Sequence, residues 1–411
     1  MKRPSGATGD AAPARLSAAT SRRALRFVLL VGVMSFFADF AYEGMRSISG
    51  PYLGLLGASA TVVGVVAGLG ELAGYGLRLV SRRLSDRTGQ FWPITIVGYV
   101  VQMAAVPALA LAGSWQIAAA LIIAERVGKA TRNPPRDVML SHAAVEMGGY
   151  GWAFGLHEAL DQAGATVGPL VVALVLAVHG SYTEALAWLA LPAALTLGTL
   201  AVARVLYPRP DELEFSPPGI AARGFDRPFW LYLAAAALVG AGFADFPLIA
   251  FHLGQASVVA PAVVPIFYAA AMGVSGAAAL ALGRVFDRVG FGVLVPLTVA
   301  TSVFAPLAFS GSALAAAIGV GLWAVGMGVH ESLIPAAVAP MVPASRRASA
   351  YGLFTAVYGV AWFAGSAAMG VLYDVAPAAL VAFSVAAELA AVPLLLAVQR
   401  SRPRQTRGPS A

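Results

Sequence analysis

Apolar runs of about twenty residues recur from end to end of this chain, near 24–48, 58–80, 91–113, 115–131, 149–178, 182–206, 228–252, 258–282, 291–310, 313–334, 349–372 and 377–398. Each run is long enough to cross the roughly 30 Å hydrocarbon core of a bilayer as a helix. The pattern therefore predicts twelve membrane helices with both termini on one side. Residues 1–24 carry Lys2, Arg3, Arg15, Arg22 and Arg23 and lack the apolar core of a signal peptide, so the first run is expected to stay in the membrane.

Composition agrees with the pattern. At 59% hydrophobic and 11% charged over 411 residues, the chain has more apolar material than a soluble fold can hide, which points to an all-α integral membrane protein. The absence of cysteine excludes disulfides, iron–sulfur centres and thiolate metal sites. A net charge of +7 would suit a nucleic-acid binder, but its distribution does not. All of the 27 Lys and Arg except Arg46, Arg78 and Arg126 fall in the two tails or in the loops that follow even-numbered runs. By the positive-inside rule those segments and both termini are cytoplasmic, and the charge is a topology signal with no nucleic-acid partner.

The chain also repeats itself. Phe37-Ala38-Asp39-Phe40 in run 1 returns as Phe243-Ala244-Asp245-Phe246 in run 7, and Asp86-Arg87-Thr88-Gly89 after run 2 returns as Asp287-Arg288-Val289-Gly290 after run 8. Phe154-Gly155-Leu156 and Gly168 in run 5 match Tyr351-Gly352-Leu353 and Gly365 in run 11. Landmarks repeating about two hundred residues apart in one orientation predict a parallel duplication of six-helix halves. The expected division is a tail at 1–24, halves at 25–207 and 228–398, a linker at 208–227 and a tail at 399–411.

With these residues in place, the chain resembles the major facilitator superfamily. That family's loop motif, Gly-x-x-x-Asp-Arg-x-Gly, is met by Gly283, Asp287, Arg288 and Gly290; in the first half Asp86, Arg87 and Gly89 match and Arg82 stands where glycine is expected. Arg126 sits where the family's fourth-span arginine belongs, and Gly155, Gly164, Gly168 and Pro169 look like the fifth-span motif of its antiporter branch. The resemblance implies the major facilitator fold and a secondary transporter of the bacterial cytoplasmic (inner) membrane. It further implies a monomer that works by alternating access on a small-molecule substrate, with protons as the coupling partner, export as the direction and no cofactor.

The residues also carry their own argument. A cytoplasmic Asp-Arg pair in a tight glycine turn can bridge helix ends in one access state and not the other, which would make Asp86, Arg87, Asp287 and Arg288 a gate. The Gly-x-x-x-Gly spacing of run 5 lets helices approach closely, and Pro169 should bend it.

Intramembrane charges are costly and mark a pathway or cavity. Asp39, Glu43 and Arg46 share one face of run 1, and Glu71, Tyr75 and Arg78 repeat the spacing in run 2. Run 4 adds Glu125 and Arg126, and run 5 adds His157, Glu158, Asp161 and Gln162. Lys129, Arg132 and Arg136 are placed in the 4–5 loop, with residues 132–137 as a basic turn, so the acids outnumber the intramembrane cations.

A carboxylate without a cationic partner in lipid favours its neutral form and can carry a proton. Asp39, Glu158 and Asp161, with no basic neighbour on their own helix face except His157, are the leading proton-coupling candidates, followed by His157, Glu71 and Arg126. Glu43/Arg46 and Glu71/Arg78 read equally as structural ion pairs. Glu43, Arg78, Glu125, Gln162, Asp245, Tyr268 and Tyr358 are candidates for the substrate cavity.

His157-Glu158-x-x-Asp161 imitates a zinc-protease helix but lacks the second histidine, so no metal is expected. An intramembrane hydrolase, a non-transporting sensor and an uptake symporter for a polar metabolite are the alternatives to proton-coupled export. The surplus of acids favours a cationic or zwitterionic solute, while Arg78 and Arg126 could meet an anion.

Overall fold

The structure, a computed structural model, describes residues 18–146, 150–208, 224–343 and 346–401. Most of the expected tails, at 1–17 and 402–411, and most of the expected linker, at 209–223, lie outside these, as does the side chain of Asp86, while residues 18–24 and 399–401 extend the first and last helices. The described chain is helical throughout. The first half comprises α1 (Ala18–Leu55), α2 (Ala60–Thr88), α3 (Phe91–Ala108), α4 (Trp115–Glu146), α5 (Tyr150–His179), α6 (Tyr182–Trp188) and α7 (Ala190–Leu206). The second comprises α8 (Arg227–Gly242), α9 (Phe246–Gln255), α10 (Val263–Val289), α11 (Leu294–Thr301), α12 (Phe304–Ala308), α13 (Ala313–Gly328), α14 (Ile334–Ala336), α15 (Arg347–Val375) and α16 (Pro377–Ser401).

Ten stretches of the described residues are long and apolar enough to cross a membrane. One of them, Val263–Ala308, holds two successive passes separated by a 3₁₀ turn at Gly290–Val293, and α4 is a further pass too charged for hydropathy to find. Splitting the first and adding the second brings ten to twelve. Several passes are broken. The seventh opens between α8 and α9, where Pro247 sits in the first turn of α9, while Pro265 falls at the start of α10 and distorts nothing.

One expected boundary is wrong. The basic turn at 132–137 is helix: α4 runs through Pro134 and Pro135 to Glu146. A proline inside a helix frees the carbonyl four residues back. For Pro135 that is the carbonyl of Thr131, which accepts a hydrogen bond from the Ser81 hydroxyl at 2.6 Å. A neighbouring helix thus supplies the missing donor, as membrane helices require.

Glycines set how the helices meet. Gly164 and Gly168 of α5 lie on the backbone of α1 at Phe36 and Phe40, and Gly365 of α15 lies in the same way on Ala241 of α8. The duplicated residues therefore make duplicated contacts, α1 with α5 and α8 with α15. Gly155 faces open space instead.

The halves meet through α1 with α9, α2 with α15 and α5 with α10. At the end where α1 runs into α2 the contacts are backbone to backbone: Gly50 on Pro247, Gly64 on Ser366 and Gly370. Towards the end that carries the first and last helix termini, Gly74, Gly76 and Gly155 have nothing within 4 Å. The bundle is sealed at one end and open at the other.

A methyl group at Gly168 would fall 2.9 Å from the Phe40 carbonyl carbon, whereas one at Gly155 would meet nothing. Gly168→Ala is expected to destabilise the purified protein by about 1–3 kcal/mol, the usual cost of overpacking, and Gly155→Ala to leave it unchanged. Thermal unfolding of the two variants in detergent checks this, and equal midpoints would contradict the packing.

Candidate functional site

Between the halves lies a cavity of about 440 Å³. The first half lines it with charge: Asp39, Tyr42, Glu43 and Arg46 of α1, Glu71, Tyr75 and Arg78 of α2, Arg126, Lys129 and Asn133 of α4, and Glu158, Asp161 and Gln162 of α5. The second half presents Met272, Ser275, Met327, His330, Glu331, Pro335 and Trp362.

Helix α4 organises the charged wall. Because it stays helical past the prolines, Arg126, Lys129, Arg132 and Arg136 fall at spacings of three and four and form one stripe facing the bundle. Arg126 donates to Glu71 Oε1 at 2.9 Å. Lys129 stands over the Tyr42 ring at 3.6 Å, with its Nζ 3.5 Å from Asp39 Oδ1 and 4.0 Å from Glu43 Oε1. Arg132, 0% exposed, donates to Gln102 at 2.5 Å, to the Tyr99 hydroxyl at 2.8 Å and to Asp39 Oδ1 at 3.3 Å. Gln102 in turn donates to Glu125 at 2.8 Å. These reaches depend on Gly98 and Gly128, where α3 and α4 touch so closely that a Cβ on either would strike backbone.

Two expected pairs are not formed. Arg46 binds Glu71 at 3.1 Å rather than Glu43, because Glu71 approaches from α2 on the cavity side. Glu71 is then shared by Arg46 and Arg126, and Arg78, two turns further along α2, is left exposed near the cavity mouth. Asp39 also differs from its expected isolation, since its cations come from α4 and not from its own helix. Glu43 accepts a 2.5 Å hydrogen bond from Tyr268 of the second half, and Arg46 reaches Asp245 of the second half at 3.9 Å. Asp245 is otherwise held by Trp362 at 3.1 Å and Ser366 at 2.5 Å.

Asp161 of α5 and Asp39 of α1 line the cavity together, on helices that pack against each other, and each lies within the other's electrostatic reach. The Oδ1 of Asp161 is buried and accepts no hydrogen bond. Two neighbouring carboxyl groups can share a hydrogen bond only when one of them carries a proton. Glu158 points into the cavity with Gln162 beside it at 3.5 Å.

The remaining candidates stand back from the cavity surface. His157 is buried against Ser35, which it meets at 2.9 Å and which also receives a hydrogen bond from Arg136. Glu125, Asp245, Tyr268 and Tyr358 form a layer behind the lining residues. In that layer the Tyr358 hydroxyl meets His330 Nδ1 at 2.5 Å. Among the described residues no three His, Asp or Glu are grouped to hold a metal ion.

The doubled Asp-Arg-x-Gly segments end helices rather than forming loops. Arg87 lies in the last turn of α2, where Gly89 (φ +66°) stops the helix, and Asp287 and Arg288 lie in that of α10, where Gly290 (φ +74°) does the same. Asp287 and Arg288 are exposed, and Gly283 faces open space.

Three features were missing from the expected candidates. The basic stripe was visible as spacing but obscured by Pro134-Pro135. Glu331 owes its position to a π-helical turn at Val329–Leu333, where Ser332 bonds back to Gly328 and Pro335 cannot donate to the Glu331 carbonyl. Asp374, at the end of α15, caps the start of α2 in the other half. Its Oδ1 accepts from the Ala60 amide at 3.0 Å and its Oδ2 from the Thr61 amide at 2.9 Å and the Thr61 hydroxyl at 2.6 Å. It thus satisfies free N–H groups of a helix N-terminus with a negative charge.

Residues 28–366 match the sequence profile of the Major Facilitator Superfamily. An uncharacterized protein of Mycobacterium tuberculosis is 43% identical over 97% of this chain and 99% of its own. An uncharacterized transporter of the same superfamily from Methanocaldococcus jannaschii is 30% identical over 34% of this chain and 35% of its own. Among solved structures, the nucleoside transporter NupG superposes with a TM-score of 0.72 at 13% identity, covering 91% of this chain and 98% of that one. A bacterial homologue of the human lysosomal transporter Spinster, in an inward-facing and occupied conformation, superposes with a TM-score of 0.67 at 13% identity over 94% and 99% of the two chains. At these identities the likeness is one of fold.

The Asp374 cap exists only while the sealed ends are together. Spin labels at the exposed positions Leu111 and Leu314, at that end of either half, should show a longer or broader distance distribution in Asp374→Ala than in the unsubstituted protein. An unchanged distribution would mean that the cap does not hold the seal.

Proposed function

The chain belongs to the major facilitator superfamily and is a membrane transporter, and from that premise we propose that it exports a small organic solute in exchange for protons by alternating access. The observation that carries the proton is the placement of Asp39 and Asp161 on one cavity wall, with Asp161 Oδ1 buried and without a hydrogen-bond partner. A carboxyl pair of this kind binds one proton between its members and loses it when the site is reorganised. Its state is transmitted by shared partners. Lys129 divides its charge between Asp39 and Glu43, and Glu43 is the acceptor of the Tyr268 hydroxyl from the second half. Removing the proton from the pair leaves Asp39 and Asp161 both negative, draws Lys129 towards them and away from Glu43, and so alters a bond that joins the halves.

The same reading assigns Glu71, Arg46 and Arg126 to a second link, which ends on Asp245 of the other half. Gate duty falls to Asp86, Arg87, Asp287 and Arg288, at the helix ends that must approach when the open end closes. The chain acts as a monomer in the bacterial cytoplasmic membrane with both termini in the cytoplasm, and it transports without catalysing a reaction. The basic residues that flank its helices support that orientation.

The test needs any solute that raises the thermal unfolding midpoint of the purified protein in a metabolite screen. In proteoliposomes, an acid interior should drive accumulation of that solute and an alkaline interior should not; the reverse would establish uptake symport. Asp161→Asn should abolish gradient-driven accumulation while retaining solute exchange, which needs no net proton movement. Full gradient-driven transport by Asp161→Asn would contradict the assignment of the proton to this pair.

A further inference from the structure

We propose that the solute is an amphipathic organic cation whose positive group lodges between Glu158 and Glu331. The inference rests on the transport reading above and goes on to name the chemistry of what is carried.

The cavity's own charges decide the sign. Of the four cations that line it, Arg46, Arg126 and Lys129 are each held by acids of the first half, Glu71 for the two arginines and Asp39 and Glu43 for the lysine, while Arg78 stands exposed at the mouth. Among the described residues, Glu158, Asp161 and Glu331 have no basic side chain at ion-pair distance. Glu158 and Glu331 are exposed to the cavity from opposite halves, and each lies within the other's electrostatic reach. Beneath them the buried Oδ1 of Asp161 accepts no hydrogen bond. The positive charge of a cation would be met by all three, whereas an anion would face a lining in which six acids outnumber four bases.

The facing wall supplies the apolar part. Trp362, Met272 and Met327 line the cavity, and Phe243 packs behind them against Trp362 with ring centroids 5.7 Å apart. Aromatic faces attract a cation and thioethers adapt to its shape, so this wall accepts the organic body of a positively charged solute.

The arrangement also couples binding to closure. Like charges on the two halves oppose their approach across the open end, and a cation between them removes that opposition. The solute then binds the closed form better than the open one, which is the condition for it to drive the change. Glu331 can serve because the π-helical turn, at a place where such turns often mark function, aims it inward.

Equilibrium dialysis of the purified full-length protein, with no pH gradient, tests the proposal with tetraphenylphosphonium and its anionic counterpart of the same shape, tetraphenylborate. With the two ions dialysed separately, saturable binding of the phosphonium is expected and none of the borate. Glu158→Gln and Glu331→Gln should each weaken it at least tenfold and Glu331→Asp should recover part of the loss. Glu184→Gln, which alters an exposed acid paired with His179, should change nothing. Absent phosphonium binding, unchanged affinity in either glutamine variant, or saturable binding of the borate would each overturn the proposal. If Glu331→Gln fails to fold, Glu158→Gln on the other half carries the test alone. Because no gradient is used, loss of proton coupling with intact phosphonium binding would refute the exchange mechanism and leave this site standing, and the converse result would do the opposite.

Discussion

A cation buried in a membrane costs several kcal/mol unless acceptors meet it at hydrogen-bond distance, and α4 carries four of them inward. Most of the first half can be understood as the response. Asp39, Glu43 and Glu71 are the counter-charges, and Tyr42 lies under Lys129 and Arg126 as a π-face. Tyr99 and Gln102 complete the shell of Arg132, and they reach it because Gly98 and Gly128 let α3 and α4 touch. The first half is therefore rigidly specified around its ions. The second is specified instead by aromatic packing, with Phe243 in ring contact with Trp323, Trp362 and His330.

The fold was largely legible because its causes are local or repeated. Apolar length marked each pass, and the paired Phe-Ala-Asp-Phe and Asp-Arg-x-Gly segments announced the duplication, which the structure answers with Gly168 on Phe40 and Gly365 on Ala241. The site was less legible. Helical spacing tells which residues share a face, but not which helix that face will meet. Arg46 was placed with Glu43 on its own helix and instead met Glu71 from the next. Pro134-Pro135 reads as a turn in isolation, whereas the Ser81 hydroxyl from α2 meets the Thr131 carbonyl that Pro135 frees and helps helix to continue there. The bond from Tyr268 to Glu43 spans 225 residues of sequence, and no periodicity reports it.

The polar links between the halves are chemically unlike at the two levels. At the sealed end Asp374 holds a helix terminus by its backbone amides, a contact that is either made or lost. At the cavity the links run through Glu43 and Arg46, side chains that also answer to the proton site and to Glu71. Such a division suits a rocking bundle, since the first contact defines a state and the second lets bound groups choose between states.

Everything assigned to coupling depends on one proton lying between Asp39 and Asp161. Infrared spectroscopy of the purified protein at neutral pH reads this directly, because a protonated carboxyl group in a dry site has a carbonyl band distinct from that of a carboxylate and sensitive to exchange into heavy water. The account requires such a band in the unsubstituted protein and its loss in both Asp39→Asn and Asp161→Asn. A spectrum with no protonated carboxyl band, or one that both substitutions leave unchanged, would contradict it.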